Sequence, residues 1–142
     1  MKKINDTKIY IFMIIVPLVI AVLLGGISLY SRLVVEPKAK TLISSDATMK
    51  EGYLILREPQ IFGGYKYWDS DGMAVKNSLR YFDNKIFNGG AITPDERVYL
   101  ELVLKRRISG SELGIKSSFF LLIVSLTGFF AYITERKKNK SK

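Results

Sequence analysis

Histidine and cysteine are both missing from the 142 residues. Most zinc sites draw on one or the other, and so do the commonest general-base and nucleophile arrangements. Without thiols the chain has no disulfide framework, thiol catalysis or redox sensing. Charge is missing too, in two stretches: no Asp, Glu, Lys or Arg occurs from Ile9 to Ser31 or from Ser117 to Thr134. Ion paths, proton relays and voltage sensors use ionisable groups at membrane depth, so two bare stretches weigh against a transport role for this chain alone. Gly63-Gly64 and Gly89-Gly90 are not followed by a helix start with Lys-Ser or Lys-Thr, so no phosphate-binding loop is present.

The uncharged stretches are themselves the strongest signal. At 1.5 Å per helical residue, about 20 residues cross a hydrocarbon core of roughly 30 Å. Both stretches approach that length. The first is too long for the apolar core of a signal peptide and has no Ala-x-Ala after it, so it reads as a retained anchor. Pro17 at its centre predicts a kink. Ala21 and Gly25 in the first span, and Ser125 and Gly128 in the second, are small residues that let helix backbones approach closely. The chain therefore divides into a basic tail (1–8), a span (9–31), a domain (32–113), a second span (114–134) and a second basic tail (135–142). This is a membrane helical hairpin with a small α+β domain inserted between its arms.

The net charge of +9 sits mainly outside the middle domain, where 13 basic residues face 11 acidic ones. Basic tails are retained in the cytoplasm, so both termini are expected inside and the domain outside, across a bacterial cytoplasmic membrane. The tails are short and carry no interleaved aromatics, so lipid headgroups rather than nucleic acid are their expected contact.

In the middle, Pro37 is expected to stop the first helix. Ser44-Ser45-Asp46 reads as a turn, and Gly52–Arg57 as a short strand ended by Glu58-Pro59. Residues 61–68 suggest an aromatic hairpin around Gly63-Gly64. Asp69-Ser70-Asp71-Gly72 reads as a turn, Met73–Phe82 as an amphipathic helix, and Asp83-Asn84 and Asn88-Gly89-Gly90 as further turns. Thr93-Pro94-Asp95-Glu96 is a capping box with proline at the first helical position. It favours a helix over 94–107, although alternation at Val98, Leu100, Leu102 and Leu104 also fits a strand. Ser109-Gly110-Ser111-Glu112 offers a second capping box opening the second span.

Candidate chemistry is sparse. Asp69-x-Asp71-Gly72 fails as a calcium loop, because Met73 and Arg80 stand where the fifth and twelfth positions need oxygen ligands. Asp69, Asp71 and Asp83 at this spacing do not point to an acid–base pair, and solvated turns explain them better. Phe62, Tyr65, Tyr67, Trp68, Tyr81, Phe82 and Phe87 form the densest aromatic group outside the spans. It reads first as domain core. As a partner surface, it singles out Trp68, Arg57 and Arg80. No cofactor is expected. The function expected is non-enzymatic protein binding of the assembly, regulatory or immunity and exclusion type. The partner is a membrane or periplasmic protein or a second copy. A small wall- or lipid-acting enzyme and an accessory transporter subunit are the alternatives.

Overall fold

The computed structural model describes residues 6–60, 62 and 70–140, with side chains described over 8–138 of these. Helix α1 covers Asp6–Tyr30 and passes through a π turn, Ser31–Val35, into α2, Glu36–Ile43. A 3₁₀ turn at Asp46–Thr48 leads to α3, Met49–Leu56. Helix α4 is Ser70–Phe87, and a 3₁₀ turn at Pro94–Glu96 opens α5, Arg97–Lys140. There is no strand among the described residues, so the α+β expectation is corrected to an all-helical fold. The chain falls into two compact units: Met1–Gly26 with Ile115–Lys142, and Ile27–Gly114.

Unit one consists of the outer parts of α1 and α5. Two helices, Lys8–Ile43 and Pro94–Lys138, are long and apolar enough to cross a membrane, and only 11% and 17% of their most apolar windows are buried. Helix α1 continues as α-helix through Pro17. The two segments meet through small residues. Ser118 Oγ donates to the Ala21 carbonyl at 2.7 Å, and Ser125 Oγ donates to the Ile14 carbonyl at 2.8 Å. A methyl group added at Gly128 would stand 3.4 Å from the Met13 carbonyl oxygen. That oxygen is the one whose helical donor Pro17 removes. Side chains such as Phe12, Val22, Leu23, Phe119, Phe120 and Phe130 point outward.

Unit two carries its own core. Ala39 and Ile43 of α2 pack with Met49, Tyr53 and Leu56 of α3, Val75 and Phe82 of α4, Ile92, and Leu100, Val103 and Leu104 of α5. The strand expected at Gly52–Arg57 is helical instead. Met49, Gly52, Tyr53 and Leu56 are buried at the i, i+3, i+4, i+7 spacing of one helix face, while Leu54 is exposed. Gly52 lies so close to α2 that a methyl group there would meet Ile43 Cγ2 at 2.6 Å.

Four other expectations are revised. Pro37 does not stop the helix. It sits in the first turn of α2, and the preceding π turn bonds the Glu36 N–H to the Ser31 carbonyl five residues back. Ser70, Asp71 and Gly72 form the first turn of α4 rather than a loop. Asp83-Asn84 lies inside α4, because Val75, Leu79, Phe82 and Ile86 keep the helical period beyond it. The second capping box caps nothing, since α5 runs unbroken through Ser109–Glu112.

The capping box at Thr93 is present, and residues 97–107 are helical. The turn at Asn88–Gly90 is also present. Gly89 has φ +77°, and its N–H bonds to Ile86 O while the Gly90 N–H bonds to Lys85 O. This is a Schellman termination, which needs a left-handed residue at the position Gly89 fills. The aromatic hairpin expected over 61–68 lies outside the described residues, except for Phe62, which is in no strand.

Candidate functional site

Unit two holds two polar arrangements that the hydrophobic core alone does not require. The first surrounds Arg107, which is 1% exposed. Its Nε donates to Ser31 Oγ at 2.9 Å, and its terminal nitrogens donate to the carbonyls of Leu56, Glu58 and Pro59 at 3.2, 2.7 and 3.3 Å. Arg107 thus caps the C-terminal end of α3. Ser31 Oγ donates in turn to Glu36 Oε1, and so does Ser111 Oγ. The buried Glu36 carboxylate is therefore linked to the buried guanidinium through a serine.

The π turn makes this linkage possible. In a regular α-helix, residues four apart share a face. The wide turn brings residue 36 over residue 31 instead. Burial lowers the Arg107 pKa, and Glu58 and Glu36 oppose that shift. The guanidinium stays charged, as arginine does in proteins.

The second arrangement is a cleft of about 420 Å³ between α4 and the start of α5. Ala74, Asn77, Ser78 and Tyr81 line it from α4, and Glu96 and Tyr99 line it from the α5 side. The spacing of 74, 77, 78 and 81 is one helix face. Glu96 is held from three directions. Lys85 Nζ donates to both its carboxylate oxygens at 2.6 and 2.8 Å, the Tyr81 hydroxyl donates to Oε1, and the Thr93 N–H donates to Oε2 at 2.7 Å. Burial pushes the carboxyl pKa up, but the bonds from Lys85, Tyr81 and Thr93 outweigh it and bring the value down to about 2. The same bond to Glu96 is the main cause raising the Lys85 pKa.

The Tyr81 and Tyr99 side chains are 51% and 50% exposed. Neither the Asn77 amide nor the Tyr99 hydroxyl has a hydrogen-bond partner among the described residues. Ser78 Oγ donates to the Ala74 carbonyl at 2.8 Å and keeps its acceptor capacity. At the end of α4, Phe87 is 91% exposed.

The sequence-based candidates are scattered. Trp68 and Asp69 lie outside the described residues. Arg57 sits at the C-cap of α3 and pairs with Asp83 at 3.0 Å, and Asp83 also accepts from the Tyr53 hydroxyl at 2.5 Å. Arg80 is exposed on α4 and has no ion pair among the described residues. Asp71 and Asp83 are twelve residues apart on one helix, which sets them about 18 Å apart along its axis. Paired glycosidase carboxylates are about 5 to 9.5 Å apart.

Among the aromatic residues, Phe82 and Tyr53 pack in the core with ring centroids 5.3 Å apart, while Tyr81 and Phe87 face out. In unit one, Ala21 and Ser125 are buried at the helix contact. Gly25 is close enough to Ser118 that a methyl group would meet its Oγ at 2.6 Å.

Sequence reasoning missed Arg107, Glu36, Asn77 and Tyr99. One signal was present: Ser111, Ser118 and Ser125 recur every seven residues, as do Gly114 and Leu121 and then Gly128, and Arg107 falls in the same register. No group of three metal-ligating side chains occurs among the described residues. No family model matches the chain, and comparison with curated proteins and with solved structures finds no match.

Proposed function

We propose that the chain is a two-pass membrane protein with both basic tails in the cytoplasm, and that the helical domain between its spans binds another protein without catalysing a reaction. The membrane is a bacterial cytoplasmic membrane, and the domain faces the periplasm. The observation that carries the binding reading is the α4–α5 cleft. The domain has a complete core of its own, yet it leaves two tyrosines and an unused carboxamide around an open cavity. Exposed aromatic residues concentrate binding energy at protein interfaces. The membrane reading is supported by the outward apolar faces of α1 and α5 and by the tails, where Lys2, Lys3 and Lys8 at one end match Arg136, Lys137, Lys138, Lys140 and Lys142 at the other.

Two measurements test this. Alkaline phosphatase fused at Asn88 is expected to be active, and at Lys142 inactive; the reverse pattern overturns the orientation. Purification in mild detergent is expected to bring down a partner protein in stoichiometric amount, identified by mass spectrometry. A chain that purifies alone from every mild detergent tried refutes the binding role.

A further inference from the structure

We infer that the α4–α5 cleft takes an extended, uncharged segment of a partner protein, with one apolar side chain seated between Tyr81 and Tyr99 and one backbone peptide group paired to the Asn77 carboxamide. This rests on the protein-binding reading above and names the chemistry of the partner.

Charge limits the ligand first. Among the described residues Glu96 is the only ionisable carboxylate lining the cleft, and Lys85 neutralises it through two short bonds. The same carboxylate also takes the Tyr81 hydroxyl. A cationic ligand therefore finds its counter-ion already occupied, and an anionic ligand meets a carboxylate. An uncharged ligand alone enters without breaking the cluster. The cluster also holds the Tyr81 ring in place, with Lys85 Nζ 5.6 Å from the ring centroid. A fixed aromatic wall loses little conformational entropy when a ligand settles on it.

The polar groups left over then decide between ligand classes. Among the described residues they are the Asn77 amide, the Tyr99 hydroxyl and the acceptor side of Ser78. A carboxamide presents donor and acceptor side by side, which matches the carbonyl and N–H of a peptide backbone. A neutral oligosaccharide large enough to fill about 420 Å³ would bring many hydroxyls to very few partners. Each buried polar group without a partner costs binding energy. The remaining wall among the described residues is aromatic or methyl: the rings of Tyr81 and Tyr99 and the side chain of Ala74. It suits a single Phe, Leu or Tyr side chain. A cavity of this volume lies within the range of ligand sites.

The test uses the full chain in detergent micelles and an array of dye-labelled synthetic decapeptides. Each peptide carries one Phe, Leu or Tyr among Gly, Ala, Ser and Asn. Matched sets have lysine or glutamate flanking the apolar residue, and maltohexaose and cellohexaose serve as neutral glycans. The expected result is saturable binding of a subset of uncharged peptides, with charged counterparts at least tenfold weaker. Asn77→Asp and Tyr99→Ala should each weaken binding about tenfold or more, and Glu51→Gln on exposed α3 should leave it unchanged. Ala74→Trp, which fills the cleft from an exposed helix position, should abolish binding while the helical circular dichroism is retained.

Three results overturn the inference: no peptide saturates, binding is indifferent to Asn77→Asp and Ala74→Trp, or the glycans bind in place of the peptides. If a partner co-purifies but its capture survives Ala74→Trp, the cleft assignment fails while the protein-binding reading stands. If no partner co-purifies and no peptide saturates the cleft, both readings fail.

Discussion

Arg107 donates to four acceptors at once. Three backbone carbonyls at and just beyond the end of α3 and one serine hydroxyl accept from it; the bonds to Ser31 and Leu56 are buried and those to Glu58 and Pro59 partly so. Leaving a buried acceptor without its donor costs about 1–3 kcal/mol. Arg107→Met keeps most of the stem volume and removes every donor, so it should destabilise unit two by at least about 2 kcal/mol on that scale. Arg107→Lys keeps the charge but cannot span the same acceptors, and should fall between the two. Urea unfolding in detergent, followed by near-ultraviolet circular dichroism, reads both; a methionine variant as stable as the parent would remove the argument.

Glu96 gives a second prediction at this scale, through pH. Its carboxyl pKa is lowered from 4.5 to about 2 in the folded chain. A depressed folded pKa means that the folded state favours the carboxylate. The stabilisation is therefore complete above about 4.5 and is lost as pH falls toward about 2. The melting temperature should drop across that window in the parent. In Glu96→Gln the drop should be smaller, and the variant should already be less stable at neutral pH because Lys85 loses its ion pair.

Among the elements, α1 and α5 meet through small residues. In lipid, apolar side chains gain nothing by leaving the solvent, so close backbone approach and interhelical hydrogen bonds drive contact. Ser118 and Ser125 each donate to a carbonyl of α1, and bonds of this kind contribute about 0.6 to 2 kcal/mol. Because the chain has no cysteine, a double substitution Ala21→Cys and Ser118→Cys introduces the only two thiols. Mild oxidation should join them in high yield, seen as a mobility shift on a non-reducing gel. The pair Ala21→Cys and Phe120→Cys should not join, since Phe120 points outward.

The π turn at Ser31–Val35 is a second element-scale device. Pro37 has no N–H to offer Leu33, and the widened turn absorbs that loss while rotating Glu36 onto the face of Ser31. The proline was visible in the sequence. Its consequence was not, because a lone proline is compatible with a stop, a kink or a widened turn. Only the partners Ser111 and Arg107, 75 and 71 residues further along, select among them.

For the whole molecule, the decisive property is the exposure of apolar side chains along both long helices. Keeping such a surface in water costs about 25 cal/mol per Å². The full chain should therefore remain in membranes washed with alkaline carbonate and be released by detergent. Release by carbonate alone would refute membrane insertion.

Length and polarity are properties of a stretch of chain, so the two helices long and apolar enough to cross a membrane and the capping box at Thr93 could be read residue by residue. The same holds for the helix at Met73–Phe82 and the turn at Asn88–Gly90, whose signals are local in sequence. The identity of the middle elements was not local. Gly52–Leu56 has the aliphatic and aromatic residues of a strand. It becomes helix because Met49, Gly52, Tyr53 and Leu56 find Ile43, Phe82 and Leu100 to pack against. The polar network and the cleft depended on tertiary structure altogether. Arg107 and Ser31 stand 76 residues apart, and Asn77 and Tyr99 line one cleft from two different helices. Amino-acid patterning determines which face of each element must be buried; which distant residues share that burial is decided only when the elements pack.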